Sequence, residues 1–127
     1  MNTIYTLGYS GWKPIALKAQ VDTLGARLVD IRYNPQSRRP EWRKDAFRAL
    51  LGDHYTHWPS LGNRNYKTGG PIELAAPDVA LGLASSVLPE FPIILMCACR
   101  EVESCHRLVA ATFLSERLGA PIVHLAP

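Results

Sequence analysis

The sequence predicts an α/β protein: one domain with a mostly parallel sheet of about five strands and helices on both faces. Three observations point there. Short apolar runs alternate with segments whose apolar residues recur at helical spacing. Residues 92–99 form an almost unbroken apolar run of the kind a central parallel strand shows. The chain has 127 residues, 47% hydrophobic and 20% charged, which suffices for one packed core but not for two with a linker.

Residues 4–8 read as the first strand. Pro14 then suits a helix start, Leu17, Val21 and Leu24 share one helical face, and Gly25 stops the helix. Residues 27–32, Arg-Leu-Val-Asp-Ile-Arg, read as the second strand. Pro35 and Pro40 make 33–41 irregular, and Arg43 to Leu51, with Ala46, Phe47, Leu50 and Leu51 in phase, is the next helix, ended by Gly52. Residues 55–58 give a third strand. The stretch 59–77 holds three glycines and is a long turn-rich loop. Val79, Leu83 and Val87 mark a helix to about Leu88, residues 92–99 a fourth strand, 104–118 a helix stopped by Gly119, and 122–125 a last strand. Strand-helix alternation of this kind gives a Rossmann-like three-layer arrangement, in which ligands bind beyond the carboxyl ends of the strands.

Charge is unevenly spread. Residues 1–67 carry eleven Lys and Arg against five acids, whereas 68–127 carry three against six. The densest basic stretch, Arg32 to Arg48, suits an anionic partner, whether a small molecule or nucleic acid, or else a solvated surface. No apolar run is long enough to cross a bilayer, and residues 1–5 lack a basic-then-apolar leader, so the expectation is a cytoplasmic protein with no membrane partner. Three cysteines crowded into 97–105 read as reduced thiols with a local task. Oligomeric state is left open.

The densest chemistry is Cys97-x-Cys99-x-Glu101-x3-Cys105-His106-Arg107. Cys105 opens a helix, where the dipole and free amides favour an anion, a thiolate or a bound phosphate, and where Arg107 and His106 lower a thiol pKa further. Cys105 is therefore a candidate nucleophile; the alternative is that these cysteines pack between strand and helix. Cys97, Cys99, Cys105 and His106 are also four soft ligands, but Cys-x-Cys on a strand is not a zinc knuckle, and adjacent Cys105 and His106 point to different sides. The expectation is no metal and no cofactor. On the second strand Asp30 and Arg32 alternate with Val29 and Ile31, and such a pair is either a site or a structural clamp. Ser37 and Arg38 after Pro35 can grip phosphate, and Gly8 and Ser10 let backbone approach a ligand at the end of the first strand. His57 and His124 read as core or rim histidines. Trp42, Trp58 and Tyr66, interleaved with Arg43, Arg64 and Lys67, read as core aromatics or as a base-stacking surface.

Thr6-x-Gly8-x-Ser10, Val29-Asp-Ile-Arg32 followed by Pro35-x-Ser37-Arg38, then His57, Leu61-Gly62, and Cys97-x7-Cys105-His106-Arg107 together resemble the bacterial domain of unknown function 488 family. Many members have Glu two residues after the first Cys of the last element, where this chain has Cys99, so a general-acid role for that Glu passes here only if Glu101 substitutes. The resemblance implies an α/β fold and a site made of these motifs, without an established reaction.

Two functions follow. In one, the protein is an enzyme acting on a phosphate-bearing substrate, a nucleotide or nucleic acid. Cys105 is then its nucleophile, His106 its proton carrier, Asp30 and Glu101 its carboxylates, and Arg32, Arg38 and Arg107 its anion clamps. In the other, it is a binding module for such a ligand, with structural or metal-binding cysteines. The enzyme reading requires Gly8, Ser10, Asp30, Arg32, Ser37, Arg38 and Cys105–Arg107 to converge in one pocket.

Overall fold

The computed structural model describes residues 2–127. Strands β1 (Ile4–Gly8), β2 (Arg27–Asp30), β3 (Tyr55–His57), β4 (Ile93–Cys97) and β5 (Ile122–Leu125) form one sheet in the order β3-β2-β4-β1-β5, with every pairing parallel. Helices α1 (Pro14–Leu24), α2 (Lys44–Leu51), α3 (Pro77–Val87) and α4 (His106–Leu118) connect them. No helix among the described residues is long and apolar enough to cross a membrane.

Period-two alternation builds the layers. Along β4, Ile93, Leu95 and Cys97 pack with α3 and α4, while Ile94 and Met96 pack with α1 and α2, and the whole strand is buried. This explains why its sequence is apolar throughout: a central strand covered on both faces has no polar side. Leu17 and Val21 of α1 and Phe47 and Leu51 of α2 cover one face.

The opposite face is built partly from small residues. Val79 and Leu83 of α3 are exposed, and Ala80, Ala84 and Leu88 face the core. Ala110 and Ala111 of α4 belong to the same cluster, so small residues on both helices let them lie close together, and Val79 and Leu83 are left outside.

Boundaries differ where the sheet ends. The second strand stops at Asp30, so Ile31 and Arg32 lie beyond it, and the fourth stops at Cys97, two residues before Cys99. The register puts Gly8 beside Cys97 and Asp30 beside Met96, so the carboxyl ends of β1, β4 and β2 lie abreast. The connection leaving β4 runs to the α4 face, whereas those leaving its neighbours β1 and β2 run to the α1 and α2 face. A crevice must therefore open above the end of β4.

Candidate functional site

Asp30 ends β2 with no exposed surface. Its Oδ1 accepts the Arg32 backbone N–H at 3.1 Å and Arg32 Nε at 2.9 Å, and its Oδ2 accepts Arg32 Nη2 at 2.6 Å and the Tyr55 hydroxyl at 2.6 Å. Arg32 Nη1 donates to the Trp42 carbonyl at 2.6 Å, tying the loop after β2 to the sheet. Of the two readings of this charged pair, the contacts are those of a clamp. Burial opposes the charge on Arg32, but the Asp30 carboxylate outweighs it and holds the guanidinium above its usual range. Burial, then the Asp30 charge, pushes the Tyr55 phenol up, so it remains a donor.

Just beyond the strand, the Ile31 carbonyl accepts from His106 Nε2 at 2.9 Å and the Arg32 carbonyl from His57 Nε2 at 2.7 Å. A carbonyl only accepts, so each Nε2 carries the proton and Nδ1 of a neutral His106 keeps its lone pair. Burial is the main cause holding His106 below the usual histidine range; the Ile31 carbonyl works against it and the Arg107 charge adds to it. The sign for stability follows. An unfolded His takes up a proton near pH ~6.5 that the folded ring resists, so stability should fall as pH drops below that value. The melting temperature of wild type should therefore decline more steeply between about pH 7 and about pH 5 than that of His106→Gln, which keeps an N–H for Ile31 but cannot titrate. Parallel curves would remove His106 from the acid response.

Cys97 closes β4, and a 3-10 turn over Val102–Ser104 returns the chain so that Cys105 precedes the first residue of α4. That turn brings the Cα atoms of Cys99 and Cys105 to 6.0 Å, within disulfide reach, and their sulfurs are joined. Cys97 Sγ lies 2.7 Å from Cys105 Sγ and 3.0 Å from Cys99 Sγ. The expectation of three reduced thiols is corrected for two of them; only Cys97 is free, and it is buried. Burial pushes the Cys97 thiol up, and Arg107 partly offsets this. Cys105, expected as the nucleophile, is bonded and 2% exposed.

Arg107 is turned inward. Its Nη1 donates to the Cys99 carbonyl and lies 3.7 Å from the sulfurs of both Cys97 and Cys99, and its Nη2 donates to the Arg100 carbonyl at 3.2 Å. Gly8 exists to admit this contact: a Cβ there would lie 1.5 Å from the Cys99 oxygen and 2.2 Å from Arg107 Nη1. The close approach expected of Gly8 is thus made by the protein's own loop.

Above these supports lies a cavity of about 300 Å³ lined by Tyr9, Tyr33 and Tyr66, the amides of Asn34, Gln36 and Asn63, and Arg32, His106, Cys97, Ala98 and Cys99. A larger open cleft of about 670 Å³ adjoins it, containing Ser10, Ser37, Arg38 and Arg39 and sharing Tyr9, Gln36 and Ala98 with the cavity. The expected residues therefore separate. Arg32 and His106 line the cavity, Ser10, Ser37 and Arg38 line the cleft, and Gly8, Asp30, Cys105 and Arg107 lie buried beneath. Glu101 is exposed and borders neither. Sequence reading did not single out Tyr33, Asn34, Gln36 or Asn63. One signal was present in Gly62, where a Cβ would sit 2.6 Å from the Tyr33 Cα, so this glycine lets the 62–66 segment press against Tyr33. Within that segment Asn63 Oδ1 accepts from the backbone of Asn65 at 3.0 Å and Glu73 at 3.1 Å, which fixes the long loop against the cavity.

A family described as Domain of unknown function DUF488 matches the chain over residues 18–69, a segment that includes Asp30, Arg32, Arg38 and Gly62 and ends before the cysteines. No curated protein and no solved structure matches the chain.

Proposed function

We propose, for a chain whose residues 18–69 match the DUF488 family, that the cavity takes the planar ring of a nucleotide and the adjoining cleft its phosphate, with cysteine sulfur in the cavity floor as the reacting group. The observation that carries this reading is the shared wall: Tyr9, Gln36 and Ala98 border both depressions, so one molecule can occupy the two at once. Tyr33 and Tyr66, with ring centroids 5.9 Å apart and tilted by 55°, offer stacking surface, and the three amides offer donors and acceptors for a ring edge. In the cleft, Arg38 and Arg39 are exposed and make no ion pair among the described residues. They are available to an anion in a way that Arg32 and Arg107, committed to internal oxygens, are not. A cavity of about 300 Å³ suits a mononucleotide rather than a strand of nucleic acid.

One observation favours a purely binding role: the free Cys97 thiol is buried and pushed up, and the other two sulfurs are bonded. The two roles separate on alkylation of the reduced protein across pH. One thiol titrating well below the ~8.5 of free cysteine marks an activated nucleophile, and slow, equal reaction of all three marks a binding module.

The binding itself is tested by titration calorimetry with adenosine monophosphate, adenosine and inorganic phosphate. The monophosphate should bind about 10-fold tighter than the nucleoside, and Arg38→Ala should erase most of that difference, because a charge-assisted contact of this kind is worth roughly 1.5–3 kcal/mol. Arg117→Ala, at the far end of α4, is the control. Equal affinities for nucleotide and nucleoside, or an Arg38→Ala protein identical to wild type, would refute the assignment.

A further inference from the structure

We propose that in the reduced protein Cys97, Cys99 and Cys105 together hold one divalent thiophilic metal ion, zinc being the type, with its fourth coordination position open to the cavity. The three sulfurs lie within 4.8 Å of one another. Of the two objections raised by the sequence, Cys-x-Cys on a strand falls because Cys99 lies beyond β4, and the divergence of His106 applies only to a closed site of four ligands. His106 indeed points away, donating to Ile31, and what remains is an open site of three.

The arrangement of the sulfurs supports a shared ligand rather than a thiol relay. A thiolate poised to displace Cys99 from Cys105 would stand in line behind the bond, about 2 Å farther from one sulfur than from the other. Cys97 instead lies beside it, at 2.7 Å and 3.0 Å, so the three form a compact triangle. Zinc–sulfur bonds of about 2.3 Å require sulfurs roughly 3.8 Å apart, so reduction must lengthen the two edges at Cys97 by about 1 Å and part Cys99 from Cys105 by about 2 Å. Cys99 can supply the movement, being only partly buried and outside β4.

The second observation is Arg107, which is 2% exposed, has no carboxylate partner, and leaves its Nε without any partner among the described residues. A buried cation requires a counter-charge. Its Nη1 is 3.7 Å from two of the three sulfurs. Three thiolates around a divalent ion carry one net negative charge, which one guanidinium neutralises, whereas a monovalent ion would leave two. Cys97 and Cys99 also line the cavity, so the open position faces a bound molecule or water.

The chemistry balances in two stages. A trialkylphosphine and water reduce the Cys99–Cys105 disulfide to two thiols, the phosphine leaving as its oxide. The ion then replaces three thiol protons, which are released to solvent.

The test uses the whole chain, reduced with phosphine, freed of it without air, and titrated with cobalt(II) and then zinc(II) against a chromophoric chelator. One equivalent should bind, cobalt should give a thiolate charge-transfer band that zinc abolishes, and the oxidised protein should bind neither ion. Cys99→Ser, with an unchanged far-ultraviolet circular dichroism spectrum, should bind more than about 100-fold more weakly, beyond the loss usual for an outer-sphere partner. Equal affinity of wild type and Cys99→Ser would overturn the proposal. So would a cobalt spectrum of wild type without thiolate charge transfer, and that readout decides by itself should the variant not fold. No nucleotide is present, so this outcome is independent of what occupies the cavity.

Discussion

Gly8→Ala should destabilise the protein by more than about 3 kcal/mol, a large part of the 5–15 kcal/mol that a domain of this kind possesses. The added methyl would meet the Cys99 carbonyl oxygen at 1.5 Å and Arg107 Nη1 at 2.2 Å, and the first of these is backbone, which cannot swing aside as a side chain does. Relief requires the whole 98–105 connection to lift, which breaks the contacts from Arg107 to Cys99 and Arg100. Gly82→Ala is the counterpart. It lies on α3 with nothing within 4 Å of the new Cβ, and should stabilise by up to about 1 kcal/mol. Denaturant unfolding of both variants checks this, and a Gly8→Ala loss below about 1 kcal/mol would contradict the packing described.

Asp30→Ala is expected to cost about 3–5 kcal/mol. The carboxylate receives Arg32 Nε and Nη2, the Arg32 backbone and the Tyr55 hydroxyl, so its removal strands a buried guanidinium and a buried phenol together. The penalty belongs mainly to the abandoned charge. Adding Arg32→Met to Asp30→Ala should therefore restore stability relative to the single variant, and a double-mutant cycle reads the coupling. Strict additivity of the two losses would mean the pair does not act as a clamp.

Legibility in the sequence followed physical constraint. The apolar run of β4 was readable because burial on both faces leaves no other composition, and Asp30 with Arg32 was readable because charges on a strand must find partners. The residues that marked α3 in the sequence do not reveal its core face. Val79 and Leu83 carry the larger apolar surface, but only the small Ala80 and Ala84 allow α4 to approach. Cavity walls were the least readable part. Asn34, Gln36 and Asn63 lie in irregular segments with no periodicity, and their convergence depends on backbone contacts such as that of Gly62 with Tyr33. The meeting of Cys99 with Cys105 likewise depends on the 3-10 turn at Val102–Ser104, which spacing along the chain does not reveal.

A crystal structure with adenosine monophosphate tests the proposed site most directly. The base should lie against Tyr33 and Tyr66 above Cys97 and Cys99, with the phosphate within hydrogen-bond distance of Arg38 or Arg39. A nucleotide seated elsewhere, or one whose phosphate enters the cavity while the base stays in solvent, would contradict the assignment of the two depressions.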